Sequence, residues 1–381
     1  MSRLLWCRLL GVLAGAALVV SACGSDSASS STGSESTLTV ASNAPPTDTA
    51  APPNASTSSG TDPEGTTPDV AGLDFVYQAR VGDGVVPDMP DIGVFASVDG
   101  QEQRVDEAAP GTRHKHPVWT SDGSQVAFVA EGEWDAEGAV VRGTEVWVVD
   151  PTGENATALI ACDCWDLNNP AWSPDGTQVA YVEFDAPGTA PQPAASRIVV
   201  LDLASKQRTV VVESEPGQLV DIPRWSPDGA SLVVSIDRFD EAGNETGSSF
   251  GIVPAAGGGA LAPMLPFEEY GYYADWNWAT GALVFSVEAQ GYASPDPRVS
   301  PWDLFEIQPD GTGRRTITDV GEGQRLLLPR WSPDGSLIAA SLDTAPTAPS
   351  RLVGVVVDPV TGTFTRLGDM VSEEVRLRPN P

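Results

Sequence analysis

Cations are what this sequence has least of. Lys115 and Lys206 are the only lysines in 381 residues, and 21 Lys and Arg stand against 52 Asp and Glu, a net charge of −31. A surface this acidic repels phosphate backbones and anionic headgroups, which excludes a nucleic-acid partner. Histidine is equally scarce, with His114 and His116 the two present. Gly247-Ser248-Ser249-Phe250-Gly251 has the Gly-x-Ser-x-Gly spacing of a nucleophile elbow, but that triad needs an acid and then a His downstream, and both histidines lie upstream. No long stretch repeats its apolar residues every 3.6 positions, so a helical architecture is excluded as well.

What is abundant is turn chemistry and aromatic bulk. The 38 Gly, 33 Pro and 11 Trp, within a chain 41% hydrophobic, read as many short strands joined by tight turns around a large core. Length alone does not divide such a chain, because all-β domains run well past 150 residues as one unit. The composition points to an extracytoplasmic all-β protein.

The N-terminus reads as an address and an anchor. Arg3 and Arg8 precede an uncharged run from Leu9 to Val20, followed by Val20-Ser21-Ala22-Cys23. A basic start, a short apolar segment and small residues before a cut define a secretory signal over 1–22, too short to span a bilayer permanently. The segment resembles the lipobox of bacterial lipoproteins. That resemblance implies a diacylglycerol on the Cys23 thiol, cleavage before Cys23 and a further acyl chain, and two chains anchor stably where one is marginal. From Gly24 to Asp69 there is no aromatic residue and no Lys or Arg. Such a tract cannot bury enough apolar surface to offset ordering entropy, so 23–71 is read as the lipidated cysteine and a disordered Ser/Thr/Pro-rich tether.

Beyond the tether one unit repeats. Pro117-Val118-Trp119-Thr120-Ser121-Asp122-Gly123 recurs around Trp172, Trp225 and Trp331, with a degraded copy at Trp276-Asn277-Trp278-Ala279-Thr280-Gly281. In Ser-Pro-Asp-Gly, Pro presets φ, Asp bonds locally and Gly closes the turn. These aspartates are therefore read as structural, and the tryptophans as packing between sheets. Hairpin turns near Asp99-Gly100, Asp150 to Gly153, Asp202 to Lys206, Pro254 to Gly257, Asp310-Gly311 and Asp358 to Gly362 give six units against five tryptophan turns. The missing strand is assigned to the tail Glu374 to Arg378, paired with Leu73 to Tyr77, which leaves no open sheet edge.

These repeats resemble the TolB-type, or WD40-like PD40, propeller family, whose signature is Pro-x-Trp-Ser-Pro-Asp-Gly followed by an apolar strand. The resemblance covers 72–381 and implies a six-bladed β-propeller closed by its N- and C-terminal strands. The namesake carries a globular domain ahead of its propeller, where this sequence has the tether. Propellers serve as scaffolds, binding modules and enzymes alike, so function rests on the site.

Residues just before each Pro-x-Trp lead into the innermost strand at the channel mouth. His114 and His116, at i and i+2 of a strand, are expected to face one side. There they would meet Asn168, Asn169, Asp221, Tyr272 and Tyr273. Acidic segments at Asp237 to Glu241 and Phe267 to Tyr270 lack any metal-loop spacing and read as solvated loop tips. With Cys7 removed and Cys23 acylated, Cys162 and Cys164 are the remaining thiols. An oxidising compartment favours a bridge, although so short a loop strains it; a reduced pair and a metal pair are the alternatives.

The sequence thus describes a monomeric lipoprotein on the extracytoplasmic face of a bacterial membrane, a non-catalytic interaction module whose partner is an envelope protein with a basic patch. No catalytic residue, metal or cofactor beyond the lipid is assigned. The rival reading, drawn from metal-dependent lyases among TolB-like propellers, is an enzyme or a small-ligand or glycan binder using the channel near His114 and His116.

Overall fold

Trp119, Trp172, Trp225, Trp276 and Trp331 each end the first strand of an antiparallel meander, and the repeat in sequence is a repeat in structure. The computed structural model describes residues 68–86, 89–111, 113–134, 140–162, 164–186, 194–288, 300–344, 352–371 and 374–379. The signal segment, Cys23 and the tether through residue 67 lie outside the described residues. His114–Trp119, Val126–Ala130, Glu145–Val149 and Thr157–Ala161 form one sheet; Asp166–Trp172, Gln178–Phe184, Ser196–Asp202 and Arg208–Glu213 form the next. A three-stranded sheet of Gln218–Trp225, Ser231–Phe239 and Glu245–Pro254 follows. Then come Tyr272–Trp276, Leu283–Glu288, Trp302–Ile307 and Arg315–Thr316, linked by one parallel pair, Trp302 with Arg325, to Arg325–Trp331, Ile338–Asp343, Leu352–Val357 and Phe364–Val371. Glu374–Leu377 pairs antiparallel with the first strand, Phe75–Val86, which continues into Met89–Val98 and Gln101–Arg104. A single 3-10 turn, Phe267–Glu269, is the only named helical element among the described residues. The chain is all-β in a propeller-like arrangement.

The core lies between sheets. Val126, Ala127, Phe128 and Val129 are all fully buried, because the strand is covered on both faces rather than alternating with solvent. Trp119 packs with Val76, Val94 and Phe128, Trp225 with Val182, Ile198 and Leu232, and Trp331 with Val284, Leu304 and Ile338, so each indole sits in a cluster shared by two sheets. Phe75, Tyr77 and Leu377 pack likewise on Ala339, Val356 and Leu367.

The turns follow their chemistry. Thr120, Ser173, Ser226 and Ser332 each donate a 2.6 Å hydrogen bond to the aspartate two residues on. That carboxylate accepts a backbone N–H two residues further at 3.0 Å. Gly123, Gly176, Gly229 and Gly335 close the turns at φ of 65°, 71°, 69° and 71°, where a Cβ would be strained. In the degraded copy Asn277 substitutes, its Oδ1 accepting from Ala279 N at 2.8 Å and Thr280 N at 3.1 Å.

Candidate functional site

The innermost strand of each meander breaks at one place. His116, Asn169, Ile222, Tyr273 and Leu328, each three residues before its tryptophan, adopt φ of 54°, 53°, 52°, 62° and 54°. The register with the next strand slips there in all five, so the strand carries a bulge that re-aims the side chains on either side.

That bulge separates the two histidines, contrary to the simple alternation expected of i and i+2. His114 is 1% exposed, with Nδ1 2.5 Å from Asp106 Oδ2 and Nε2 3.1 Å from the Pro110 carbonyl. Both ring nitrogens are engaged by acceptors, which leaves neither for a metal. Burial alone would raise the Asp106 carboxyl, but hydrogen bonds from His114 and Arg104 outweigh it and hold the group below its ordinary range. His116 turns instead toward Glu374, Nδ1 to Oε2 at 3.3 Å, while its backbone N–H donates to Gln78 Oε1 at 2.7 Å.

The remaining candidates divide in the same way. Asn169 Nδ2 donates to Asp221 Oδ1 at 2.9 Å, and Asp221 interacts electrostatically with His116 and Tyr273, so His116, Asn169, Asp221 and Tyr273 make one group. Asn168 donates to Asp166 at 2.9 Å, and Tyr272 hydrogen-bonds Glu245 while stacking on Trp302. Burial drives the Asp221 carboxyl upward against the bonds from Ile222 and Asn169. Ser248 and Ser249 are fully buried, bonded to Asp237 and to the Leu265 carbonyl, so the elbow-like motif is plain strand.

Cys162 and Cys164 are joined in a disulfide, with Cα atoms 5.1 Å apart. Asp237 departs from the solvated loop expected of it. It lies inside Ser231–Phe239 at 6% exposure, and burial, then the Glu245 charge, push its carboxyl up to about 8.

Two features go beyond the sequence reading. One is a set of buried charges on the inner strands: Arg224, Arg330, Arg376 and Glu374 are 4%, 2%, 8% and 3% exposed. Arginine at the variable position of two Pro-x-Trp copies was the available signal. The other is an acidic end. In a meander the turns after the first and third strands share one end, which collects Asp122, Asp175, Asp228 and Asp334 with Asp150, Asp202 and Asp310. Hydrogen bonds from neighbouring hydroxyl, amide or backbone groups hold all seven carboxyls below their ordinary range.

No family model matches the chain. The Tol-Pal system protein TolB of Alcanivorax borkumensis is 33% identical over 89 residues, 23% of this chain and 18% of that protein, so the chain matches under a fifth of the curated relative's length. The crystal structure of TolB from Acinetobacter baumannii superposes with a TM-score of 0.54 at 14% identity, covering 82% of this chain and 68% of that one. A protein of Agrobacterium tumefaciens described as a TolB gives 0.55 at 14% identity, over 81% and 99%. At these identities the likeness is one of fold: the chain is a TolB-like β-propeller.

Proposed function

We propose that the chain is a six-bladed propeller, its circle completed by Glu374–Leu377 beside Phe75–Val86, and that it works as a monomeric, non-catalytic protein-interaction module of the bacterial envelope. Cys23 carries the diacylglycerol and acyl anchor on the extracytoplasmic face, and the segment to residue 71 is the tether. The partner is an envelope protein with a basic patch. His116, Asn169, Asp221 and Tyr273 line the channel mouth as polar groups.

The observation that carries this reading is the acidic end. Seven turn aspartates are kept ionised by their own surroundings, and Asp122, Asp175, Asp228 and Asp334 among them are exposed. Such a surface steers a cationic partner and repels polyanions. The engaged nitrogens of His114 and the buried hydroxyls of Ser248 and Ser249 favour a binding module over a hydrolase or a lyase centred on the histidines.

The test is capture from detergent-solubilised membranes by residues 72–381, followed by association kinetics with the captured protein. Its on-rate should fall steeply between low and physiological salt, and Asp122→Asn with Asp175→Asn and Asp228→Asn should lower it further while His116→Ala leaves it intact. Salt-independent association would overturn the reading, as would about one tightly held divalent metal per chain with turnover of an acidic oligosaccharide. Cys23→Ser should abolish fatty-acid labelling in cells, and undiminished label would refute the anchor.

A further inference from the structure

The residue just before each inner-strand tryptophan recurs as Val118, Ala171, Arg224, Asp275 and Arg330. The tail supplies the matching position. Trp225 Nε1 donates to the Ala171 carbonyl at 2.9 Å and Trp276 Nε1 to the Arg224 carbonyl at 3.2 Å; Trp119 Nε1 does the same to Arg376 at 3.3 Å. Arg376 is thus the equivalent of Arg224 and Arg330, and three of these six positions bring a guanidinium to one carboxylate.

These three cations share one carboxylate. Glu374 Oε1 hydrogen-bonds Arg376 Nη2 and lies 3.6 Å from Arg330 Nη2 and 3.8 Å from Arg224 Nη2, ion-pair distances too long for hydrogen bonds. Arg224 Nη1 donates to the Pro223 carbonyl at 2.6 Å, and Arg330 Nη1 to Pro329 at 2.8 Å and Tyr273 at 3.3 Å. Nε and Nη2 of both Arg224 and Arg330, and Nε of Arg376, are buried without a hydrogen-bond partner. The nearby Asp275 already accepts from Trp331 N at 2.9 Å. Burial, then the charges of Arg330 and Arg376, pull the Arg224 guanidinium well below its ordinary range against the opposing pull of Glu374 and Asp275. Buried N–H groups of a guanidinium left without acceptors cost more than any other part of such a network.

We propose that Arg224, Arg330 and Arg376 form an internal binding site for a small monovalent anion of the halide class, seated between the Nη2 atoms of Arg224 and Arg330 beside Glu374. Both Nη2 atoms flank the same Oε1, and each keeps its N–H groups without a hydrogen-bond partner. A spherical ion accepts N–H from several directions at once, and among residues less than a tenth exposed it would have to be stripped of its water.

The experiment uses the full chain in sodium chloride, bromide and gluconate at matched ionic strength. A specific site gives a saturable rise in Tm with chloride and bromide that gluconate lacks, by preferential binding to the native state. General salt effects run the other way, since excluded anions stabilise more than bromide. Bromide anomalous scattering should place one peak in contact with Nη2 of both Arg224 and Arg330. Arg330→Met should raise the half-saturating chloride concentration at least tenfold. Should that variant fail to fold, the wild-type bromide peak decides alone. Identical melting in chloride and gluconate, or no bromide peak at the cluster, would overturn the proposal.

Discussion

Asp237 concentrates the cost of putting acid in the interior. Among the described residues no cation lies within ion-pair distance of it, and its carboxyl accepts one bond, from Ser248 Oγ at 2.7 Å. Its proton is held from an ordinary 3.8 up to about 8. Between those values the native state keeps a proton that the unfolded chain has released, so stability falls as pH rises through the window. Asp237→Asn retains an acceptor for Ser248 and removes the titration. The variant's Tm should therefore gain on wild type progressively from pH 5 to pH 9, and a constant difference would show that the carboxyl is not protonated in the fold. Glu374 works in the opposite sense: against burial, Arg376, His116 and Arg330 hold it well below its ordinary range, so its contribution is lost only in acid. Ser332 gives a second test at this scale. Its Oγ donates to Asp334 at 2.6 Å and accepts from Ser336 N at 3.1 Å and Leu337 N at 2.9 Å. Ser332→Ala should cost about 1–2 kcal/mol in urea unfolding, since the part-buried Leu337 N–H loses its acceptor.

At the scale of the strand, the inner edges of neighbouring sheets are fastened by indoles. Trp225 and Trp276 donate across to the preceding sheet, whereas Trp331 Nε1 is buried without a partner. Trp225→Phe should accordingly destabilise by about 1 kcal/mol more than Trp331→Phe, the worth of one buried hydrogen bond. Equal costs would mean that packing alone fixes the tryptophan. The turns and hairpins around these strands were legible because Pro, Asp and Gly impose their geometry locally. Asp99, Lys206 and Gly at 153, 257, 311 and 362 all take positive φ where hairpins were expected. The bulge at His116, Asn169, Ile222, Tyr273 and Leu328 was not legible. Left-handed backbone at His, Asn, Ile, Tyr and Leu has no common side-chain chemistry to announce it, and the pairing of sheets imposes it. Reading His114 and His116 by alternation failed for that reason, and the buried arginines stayed hidden because a charge in a strand reads as an outward one.

For the whole molecule, Glu374–Leu377 gives the sharpest measurement. Four residues pair with Phe75 to Gln78, bring Glu374 and Arg376 beside Arg224 and Arg330 and bury Val375 and Leu377. Deleting 374–381 removes a strand, a core face and the counter-charge of two arginines together, and should cost several kcal/mol in equilibrium unfolding. Deleting 24–63 should leave the melting temperature unchanged, and equal tolerance of both deletions would refute a closed circle.

That strand also sets the order of assembly. Arg378 Nη1 meets Asp74 Oδ2 at 2.9 Å across 304 residues of chain. Bringing such distant segments together costs about 5 kcal/mol of loop entropy if the intervening chain is still loose, and far less once the sheets between them have formed. Folding is therefore expected to finish, not begin, with this pairing, and its rate to be slow for the size of the protein. Until then Phe75–Val86 offers an unpaired edge to any passing strand, so the last step of folding is also the interval of greatest exposure to aggregation.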